Sequence, residues 1–206
     1  MSYPTLRLHP RKEESVLRFH PWIFSGAIAS FSAPVEDGDL VSVVDSKGRP
    51  LGTGHFGGGS IAVRLLSFDA EEVIDRAFYK RRLEAALRLR LSCDLVRPVG
   101  SSDSPNTTYR LVHGEGDSLP GLIIDIYDRT AVVQAHSLGI HQARQTIAEV
   151  LWEVFAEAGD PVLPLEGVYY KSETTLPTRD MRELASDDFL IGHTEAAPIY
   201  ENGVRF

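Results

Sequence analysis

The chain has 206 residues, of which 43% are hydrophobic and 24% charged, and its formal net charge is -8. This composition is ordinary for a globular protein with one large domain or two small ones. Its apolar runs are far shorter than the roughly 20 residues of a membrane-spanning helix, and no apolar signal segment follows the first basic residues. A single cysteine excludes an internal disulfide. We therefore expect a cytoplasmic protein that does not enter a membrane.

The excess of negative charge lies after residue 70. Residues 1–70 contain seven Lys or Arg and seven Asp or Glu, whereas the remainder contains 14 basic and 22 acidic residues. Proteins that bind RNA or DNA usually present a basic surface, so the neutral first part is the better candidate for such a surface. Within the acidic part, residues 76–90 hold six basic residues and one acidic residue. We interpret this basic island as the solvated face of a helix.

The first part of the chain is predicted to form a small antiparallel β-barrel. Residues 40–65 contain short β-branched runs broken by glycine-rich and proline-containing turns, and a similar run covers residues 6–8. The barrel is expected to end near residue 68. The glycines within residues 55–60 lack the Lys-Ser/Thr pair of a phosphate-binding P-loop, so this segment is predicted to be a hairpin loop.

The segment RFHPWIFSG, residues 18–26, is the most informative short motif in this part. Pro21 predicts a fixed turn that closes one end of the barrel, with Trp22 and Phe24 as anchors in the core. The alternative is that Trp22 is exposed and stacks on a nucleic acid base.

Helix and strand patterns alternate after residue 70. Residues 73–91 lack Gly and Pro and predict a helix of about five turns, and the turn-forming residues 98–106 predict a loop. Apolar residues at helical spacing predict an amphipathic helix over residues 140–158. Strands are predicted at residues 109–113, 121–127, 130–135, 168–170, 189–191 and 199–206.

The glycine-rich bend GEGDSLPG, residues 114–121, contains two acids between two predicted strands. A dinucleotide-binding loop requires a helix directly after its glycines, so that the helix amides meet the pyrophosphate. Here a strand pattern follows, and Leu-Pro-Gly is typical of a tight turn. We therefore predict a turn between antiparallel strands, whose two acids either stabilise the turn or contact a partner.

No self-contained catalytic or metal centre is evident in the sequence. The seven histidines never occur at zinc-binding spacing, and one cysteine cannot complete such a site. Cys93 follows the arginine-rich helix, where cations could activate its thiol, but we interpret it as a small packing residue. No nucleophile elbow, paired-carboxylate signature or Walker lysine is present. We therefore predict no catalytic, cofactor-binding or metal-binding residue in this chain.

Three segments together resemble one enzyme family. RFHPWIFSGAI, YRLVHGEGDSLPGLIIDIY and ENGVRF occur in this order. They are similar to the first half of class I S-adenosylmethionine-dependent ribosomal RNA methyltransferases, in particular those that methylate carbon 5 of cytosine in large-subunit rRNA. Members of this family have a PUA domain that binds RNA, a middle domain and a Rossmann-like catalytic domain.

The resemblance implies an α+β fold, with a small PUA-like β-barrel followed by a strand-strand-helix-strand-strand domain. The implied domains are a PUA-like RNA-binding domain at residues 1–70, a linking helix and loop at 71–106, the middle domain at 107–197, and the first strand of the Rossmann-like domain at 198–206. The family's cofactor loop and catalytic cysteine would follow residue 206, so this chain is expected to be inactive alone. S-adenosylmethionine is implied only for the full-length parent, and Cys93 does not match the family's nucleophile.

Ribosomal RNA is the implied partner, and the first domain is expected to contact it. Lys and Arg side chains position RNA through its phosphates, whereas unpaired bases are recognised by stacking and by hydrogen bonds to their edges. The candidates for base contacts are His20 and His55. The candidates for phosphate contacts are Arg7, Arg11, Lys12, Arg18, Lys47, Arg49 and Arg64.

Two other functions fit the same sequence. One is a free-standing RNA-binding or ribosome-assembly module without catalysis. The other is a protein-binding surface on the acidic residues 71–206, for a basic partner such as a ribosomal protein or for a second copy of the chain in a homodimer. Charge reversal of Arg11 and Lys12 is expected to distinguish RNA binding from the protein-binding alternative.

Overall fold

The structure is a computed structural model that describes residues 3–177 and 186–206. It confirms the predicted α+β class. The chain forms two compact units, which are Met1–Ile74 with Ser137–Gln142 and Asp75–His136 with Ala143–Phe206. Within the described ranges, no helix is both long and apolar enough to cross a membrane.

The first unit contains a six-stranded sheet and one short helix. Its elements are β1 (Thr5–Leu8), α1 (Glu14–Leu17), β2 (Trp22–Phe24), β3 (Ile28–Phe31), β4 (Leu40–Val44), β5 (Pro50–Phe56) and β6 (Ile61–Ser67). The strand order is β2-β6-β5-β4-β1-β3. Only the 3-10 turn Ser25–Ala27 separates the two edge strands, and three residues span at most about 11 Å. The sheet must therefore curl until its edges approach each other, as in the predicted barrel.

A continuous hydrophobic core lies inside this curled sheet. Leu6 and Leu8 of β1 and Val41 and Val43 of β4 are completely buried, as expected for strands that turn every second residue inward. One pairing differs from the predicted antiparallel barrel, because β1 and β4 run parallel. The local sequence could not show this, since each strand's apolar pattern is the same for either direction of its partner.

The second unit is built on a five-stranded sheet. Its elements are α2 (Arg76–Ser92), β7 (Thr108–His113), β8 (Leu122–Tyr127), β9 (Thr130–Ala135), most of α3 (Leu138–Ala158), β10 (Gly167–Tyr170) and β11 (Asp188–Gly192). The strand order is β11-β10-β9-β8-β7. The neighbours β9 and β10 are parallel and connected through α3, and the other neighbours are antiparallel. Three strands therefore precede the long helix, as the local strand patterns predict, and this is one more than in the strand-strand-helix-strand-strand order that the resemblance implies.

Helix α3 buries the face that its apolar spacing predicts. Ile147, Leu151 and Phe155 are at most 2% exposed. Burial of a side chain of this size contributes roughly 1.5–3 kcal/mol. Tertiary packing of this stripe, more than intrinsic helix propensity, therefore stabilises the helix.

Helix α2 carries the basic island, and its cations are not simply solvated as expected. Lys80 donates to both Glu153 and Glu157 of α3, and Arg76 pairs with Glu153 at 2.6 Å. The hydrogen bonds that Lys80 donates to Glu153 and Glu157 raise its pKa well above the ordinary value. Part of the island is therefore neutralised by acids that lie far away in the sequence.

A buried ion pair attaches α2 to the glycine-rich bend. Arg90 donates to both carboxylate oxygens of Asp117, and the two side chains are only 10% and 4% exposed. Asp117 also accepts a hydrogen bond from the His113 amide at 2.6 Å. Loss of one partner from such a pair typically costs about 3–5 kcal/mol. Of the two acids in the bend, Asp117 thus stabilises the turn, whereas Glu115 is exposed.

The bend itself is the predicted turn between antiparallel strands. It joins β7 to β8, and the Leu122 amide donates to the Leu119 carbonyl at 3.0 Å. Gly121, the third residue of this turn, has φ of 86°. Proline in the second position and a left-handed glycine in the third are the signature of a type II turn.

Residues 199–206 form a hairpin instead of the single predicted strand. β12 (Tyr200–Glu201) and β13 (Val204–Arg205) pair antiparallel. Asn202 and Gly203 between them have φ of 49° and 84°, which is the left-handed backbone of the two-residue turn that Asn-Gly favours. The prediction of one continuous strand is wrong, because the Asn-Gly dipeptide favours a turn at this position.

Candidate RNA interface

The residues predicted to contact RNA fall into three groups in the structure. Residues 11–20, here called the basic loop, carry Arg11, Lys12, Arg18 and His20. Residues 45–49 between β4 and β5, here called the basic turn, carry Lys47 and Arg49 and are contacted by Arg7. The remaining two, His55 and Arg64, are paired across β5 and β6.

The basic loop is organised by the single-turn helix α1. Val16 is 3% exposed and attaches this helix to the core, while the three cations of the loop are exposed. The helix ends through two backbone hydrogen bonds. The Phe19 amide donates to the Val16 carbonyl at 2.8 Å, and the His20 amide donates to the Ser15 carbonyl at 3.0 Å. The exposed cations are thus carried on a short segment with a defined backbone.

His20 is oriented by its neighbour Trp22. The Trp22 amide donates to Nδ1 of His20 at 3.1 Å, and the two rings meet edge to face at 5.7 Å. In the neutral imidazole the proton therefore lies on Nε2, because Nδ1 accepts. The exposed His20 ring can offer this N–H as a donor to a base edge.

Trp22 and Phe24 are not the core anchors that the sequence predicts. Ile23 between them is 2% exposed and fills the core, whereas Phe24 is 53% exposed and Trp22 is half-buried. The reason is the two-residue period of a strand, which places Trp22 and Phe24 together on the face opposite Ile23. The prediction placed the wrong half of this alternating pattern in the core.

A cleft of about 260 Å³ lies between the basic loop and β2. It combines the ammonium group of a lysine, a serine hydroxyl and the exposed ring of a phenylalanine. Such a set can neutralise a phosphate and contact the apolar face of a base or ribose. The lining residues are Lys12, Ser15, Ile23, Phe24, Gly26 and Ala27.

The basic turn is stabilised by a buried aspartate. Asp45 accepts from the amides of Lys47 and Arg49 at 2.8 Å and from Nε of Arg49 at 2.6 Å. Although burial opposes ionisation, the hydrogen bonds from Arg49 and Lys47 hold the pKa of Asp45 below its ordinary value. Arg7 donates to the carbonyls of Asp45 and Ser46. Arg7 and Arg49 therefore shape this turn, and their phosphate contacts remain predictions.

His55 is buried, which contradicts its predicted role in contacting a base directly. His55 is 5% exposed. Its ring packs so closely against Gly139 that a Cβ atom at that position would lie 2.2 Å from the ring. Burial, with a smaller contribution from the charge of Arg64, lowers the pKa of His55 to about 4. Arg64 is half-buried, and its cross-strand partners are His55 and Trp22.

Three residues of this surface were not predicted from the sequence, namely Ser15, Phe19 and Phe24 as an exposed side chain. Ser15 and Phe24 line the cleft, and Phe19 is 74% exposed. The period-two pattern around the buried Ile23 was the available signal for Phe24. The sequence offered no comparable signal for Phe19, because its exposure depends on where the one-turn helix ends.

The residues that the structure describes in the second unit form no cluster that could hold a metal ion. No group of three or more His, Cys, Asp or Glu in the described ranges is arranged to hold a metal ion. Cys93 is exposed at the end of α2, so its interpretation as a packing residue is wrong. Its position at the helix C-cap places it outside the apolar stripe.

Comparison with known proteins identifies the unit that carries the candidate interface. Residues 6–68 match a PUA-like domain family. This region is a PUA-like domain. All nine predicted RNA contacts, from Arg7 to Arg64, fall within these boundaries.

Relatives also match the whole chain, including the part beyond the PUA-like domain. The chain is 32% identical to ribosomal RNA large subunit methyltransferase I of Klebsiella pneumoniae (strain 342) over 98% of its own length and 48% of the relative. The identity to the Shewanella amazonensis protein of the same name is 36%, over 97% of this chain and 47% of that one. The chain thus matches the amino-terminal part of such an enzyme. It spans about half the length of these curated relatives.

Two solved structures share the fold over the entire chain. A candidate SAM-dependent methyltransferase from Streptococcus mutans has a TM-score of 0.74 at 19% identity, and 48% of that chain is covered. A candidate methyltransferase complexed with SAH has a TM-score of 0.73 at 18% identity, and 47% of that chain is covered. At these identities the likeness concerns the fold, in which the PUA-like domain precedes the second unit.

Proposed function

We propose that this chain is the RNA-binding, substrate-recognition part of a cytoplasmic S-adenosylmethionine-dependent methyltransferase that acts on large-subunit rRNA. The observation that carries the proposal is the match to relatives named ribosomal RNA large subunit methyltransferase I, which extends over 94–98% of this chain. The PUA-like domain supports RNA as the ligand, because the resemblance associates this domain with RNA binding.

The geometry of the basic loop supports the same ligand. Lys12 lines the cleft, and Arg11 and Arg18 are exposed beside α1. Each such cation that neutralises a phosphate releases counterions, so RNA affinity falls as salt rises. The exposed rings near these cations supply apolar contacts that a phosphate-only site lacks.

This chain is proposed not to bind S-adenosylmethionine by itself. A Rossmann-like cofactor site requires a glycine-rich loop between a strand and a following helix. The glycine-rich segments at residues 57–59 and 114–121 each connect antiparallel strands, so they do not fit this cofactor. Titration calorimetry with S-adenosylmethionine is expected to show no binding, and micromolar affinity would contradict the proposal.

The reaction proposed for the whole enzyme is methylation of carbon 5 of cytosine. This finer assignment rests on the resemblance of the three sequence motifs. It is measured by nucleoside mass spectrometry of large-subunit rRNA from cells with and without the gene. An unchanged level of 5-methylcytidine would overturn the assignment, and loss of a different methylated nucleoside would replace it.

Charge reversal tests the RNA-binding proposal most directly. The Arg11→Glu/Lys12→Glu variant is expected to lose most of its affinity for large-subunit rRNA transcribed in vitro, because two phosphate contacts become repulsive. Lys171→Glu changes one exposed cation in the second unit and serves as the control. Fluorescence anisotropy at low salt measures both variants against the unmodified chain.

The outcome of this experiment separates the alternative functions. If Arg11→Glu/Lys12→Glu binds RNA as tightly as the unmodified chain, this result contradicts an interface at the basic loop and favours a protein partner on the acidic residues 71–206. A homodimer stays a prediction, and sedimentation equilibrium of the same samples measures it.

A further inference from the structure

Phe19 combines three unusual properties at the end of the helix α1. Its side chain is 74% exposed. Its backbone is left-handed, with φ of 61°, a region that bulky residues rarely adopt because of steric repulsion. The exposed cation Arg18 precedes it directly, and the exposed His20 follows it. Neither core packing nor backbone preference explains a phenylalanine here.

The local geometry shows that the fold needs a left-handed residue at this position, but not an aromatic one. The Phe19 amide donates to the carbonyl of Val16, and the next amide returns to Ser15, which terminates α1. Helices commonly end on such a left-handed residue, and glycine is its usual identity because it adopts this backbone without strain. A glycine would therefore terminate α1 at lower energetic cost.

One contact positions the Phe19 ring without covering it. The rings of Phe19 and Phe68 meet nearly edge to face, with centroids 5.3 Å apart and an interplanar angle of 74°. This contact orients the ring, and its high exposure shows that most of its surface stays open. An oriented, open aromatic ring is the kind of surface on which an unpaired nucleobase stacks.

The neighbouring charges select a nucleic acid over an apolar protein segment as the occupant. Arg18 and His20 flank Phe19 directly, and Arg11 and Lys12 lie earlier on the same basic loop. The two acids of the loop, Glu13 and Glu14, precede α1 or begin it. The flanking guanidinium can contact a phosphate while the ring contacts the base attached to it.

We propose that Phe19 is a base-stacking residue for single-stranded RNA, retained at the cost of backbone strain. The inference rests on the proposed function and narrows its ligand to an RNA segment with unpaired bases. A duplex keeps its bases stacked on one another, so it does not offer a base face to Phe19.

The test compares Phe19→Gly with a matched control in the intact chain. Phe31→Gly removes another partly exposed phenylalanine, which has the same 5.3 Å edge contact to a second phenylalanine but has serine neighbours on both sides. The probe is a labelled single-stranded RNA of about 12 nucleotides. Anisotropy is measured over a range of salt concentrations, with the corresponding duplex as the second probe.

Phe19→Gly is expected to weaken single-strand binding roughly 5- to 150-fold and to leave the salt dependence unchanged, because no phosphate contact is lost. Its melting temperature is expected to equal or exceed that of the unmodified chain, since glycine removes the strain. Phe19→Trp is expected to preserve binding, and Phe31→Gly is expected to affect it less than twofold, within ordinary surface effects.

Several results would overturn the inference. One is that Phe19→Gly binds the single-stranded RNA as tightly as the unmodified chain does. A second is that Phe19→Gly loses as much affinity for the duplex as for the single strand. A third is a weaker salt dependence of binding, which would indicate that a phosphate contact is lost instead of a stacking contact. A fall in melting temperature would overturn the claim of retained strain. If the charge-reversal variant loses RNA binding while Phe19→Gly does not, only this inference fails. If the unmodified chain binds no RNA, the proposed function fails first.

Discussion

The burial of His55 changes the functional interpretation of this residue. In the sequence it precedes three glycines and suggests a base contact, whereas in the structure it is packed beneath the surface against Gly139. Its Nδ1 has no hydrogen-bond partner. A proton added to this nitrogen would therefore bring a charge into a buried site without an acceptor, which agrees with a pKa of about 4.

This burial predicts acid sensitivity of the folded state. The unfolded chain binds a proton at His55 with a pKa of 6.5, whereas the folded chain does so only near 4. Between these values the unfolded state binds more protons, so the free energy of unfolding falls by up to about 1.4 kcal/mol per pH unit as pH decreases. Above pH 6.5 and below pH 4 this contribution no longer changes.

The measurement is urea unfolding of the unmodified chain and of His55→Phe between pH 7.5 and pH 4. The difference in stability between the two proteins is expected to shift toward the variant as pH falls through this window, because phenylalanine does not titrate. His20→Phe at an exposed histidine is the control for the replacement of a histidine by phenylalanine. Parallel profiles for the unmodified chain and His55→Phe would contradict the burial of a neutral histidine.

At the scale of elements, the sequence predicted structure wherever the signal was local. Leu119-Pro120-Gly121 specified its turn, because proline and glycine restrict the backbone by themselves. The apolar stripe of α3 specified its buried face through its spacing. Residues 73–91 predict a helix that the structure places at Arg76–Ser92, and shifts of this size are usual for helix boundaries predicted from sequence.

The errors at this scale share a different physical origin. The size of Trp22 and Phe24 suggests core positions, but the alternation of β2 can bury only one face, and Ile23 lies on that face. The sequence suggests solvated cations on α2, because their partners Glu153 and Asp117 are remote in the sequence. Ion pairs and strand order depend on tertiary contacts, which no pattern within a single element contains.

Part of the grouping of the candidate RNA contacts was foreseeable from the sequence, and their role in RNA binding stays a prediction. Arg11, Lys12, Arg18 and His20 do lie together on one exposed loop. Their grouping was foreseeable because they are close in the chain. The cleft was not, because it forms only when α1 packs beside β2.

At the scale of the whole molecule, the proposed ligand and the net charge oppose each other. RNA is a polyanion, and the chain carries a formal charge of -8 that arises entirely after residue 70. The cations of the basic loop act at short range, whereas the acidic surplus repels an approaching RNA over the Debye length. This length is about 30 Å at 10 mM salt and about 10 Å at 0.1 M.

Removal of negative charge from the second unit is therefore expected to accelerate RNA association only at low salt. Glu195→Gln/Glu201→Gln removes two exposed acids that line neither the basic loop nor its cleft. Stopped-flow measurements are expected to show a faster association rate at 10 mM salt, an effect that disappears near 0.1 M as screening shortens the range of the repulsion. Thr174→Ala, a neutral change at an exposed site, is expected to alter neither rate. A gain that persisted undiminished at 0.1 M would show that the two acids lie beside the bound RNA, and the interface would then extend beyond the PUA-like domain.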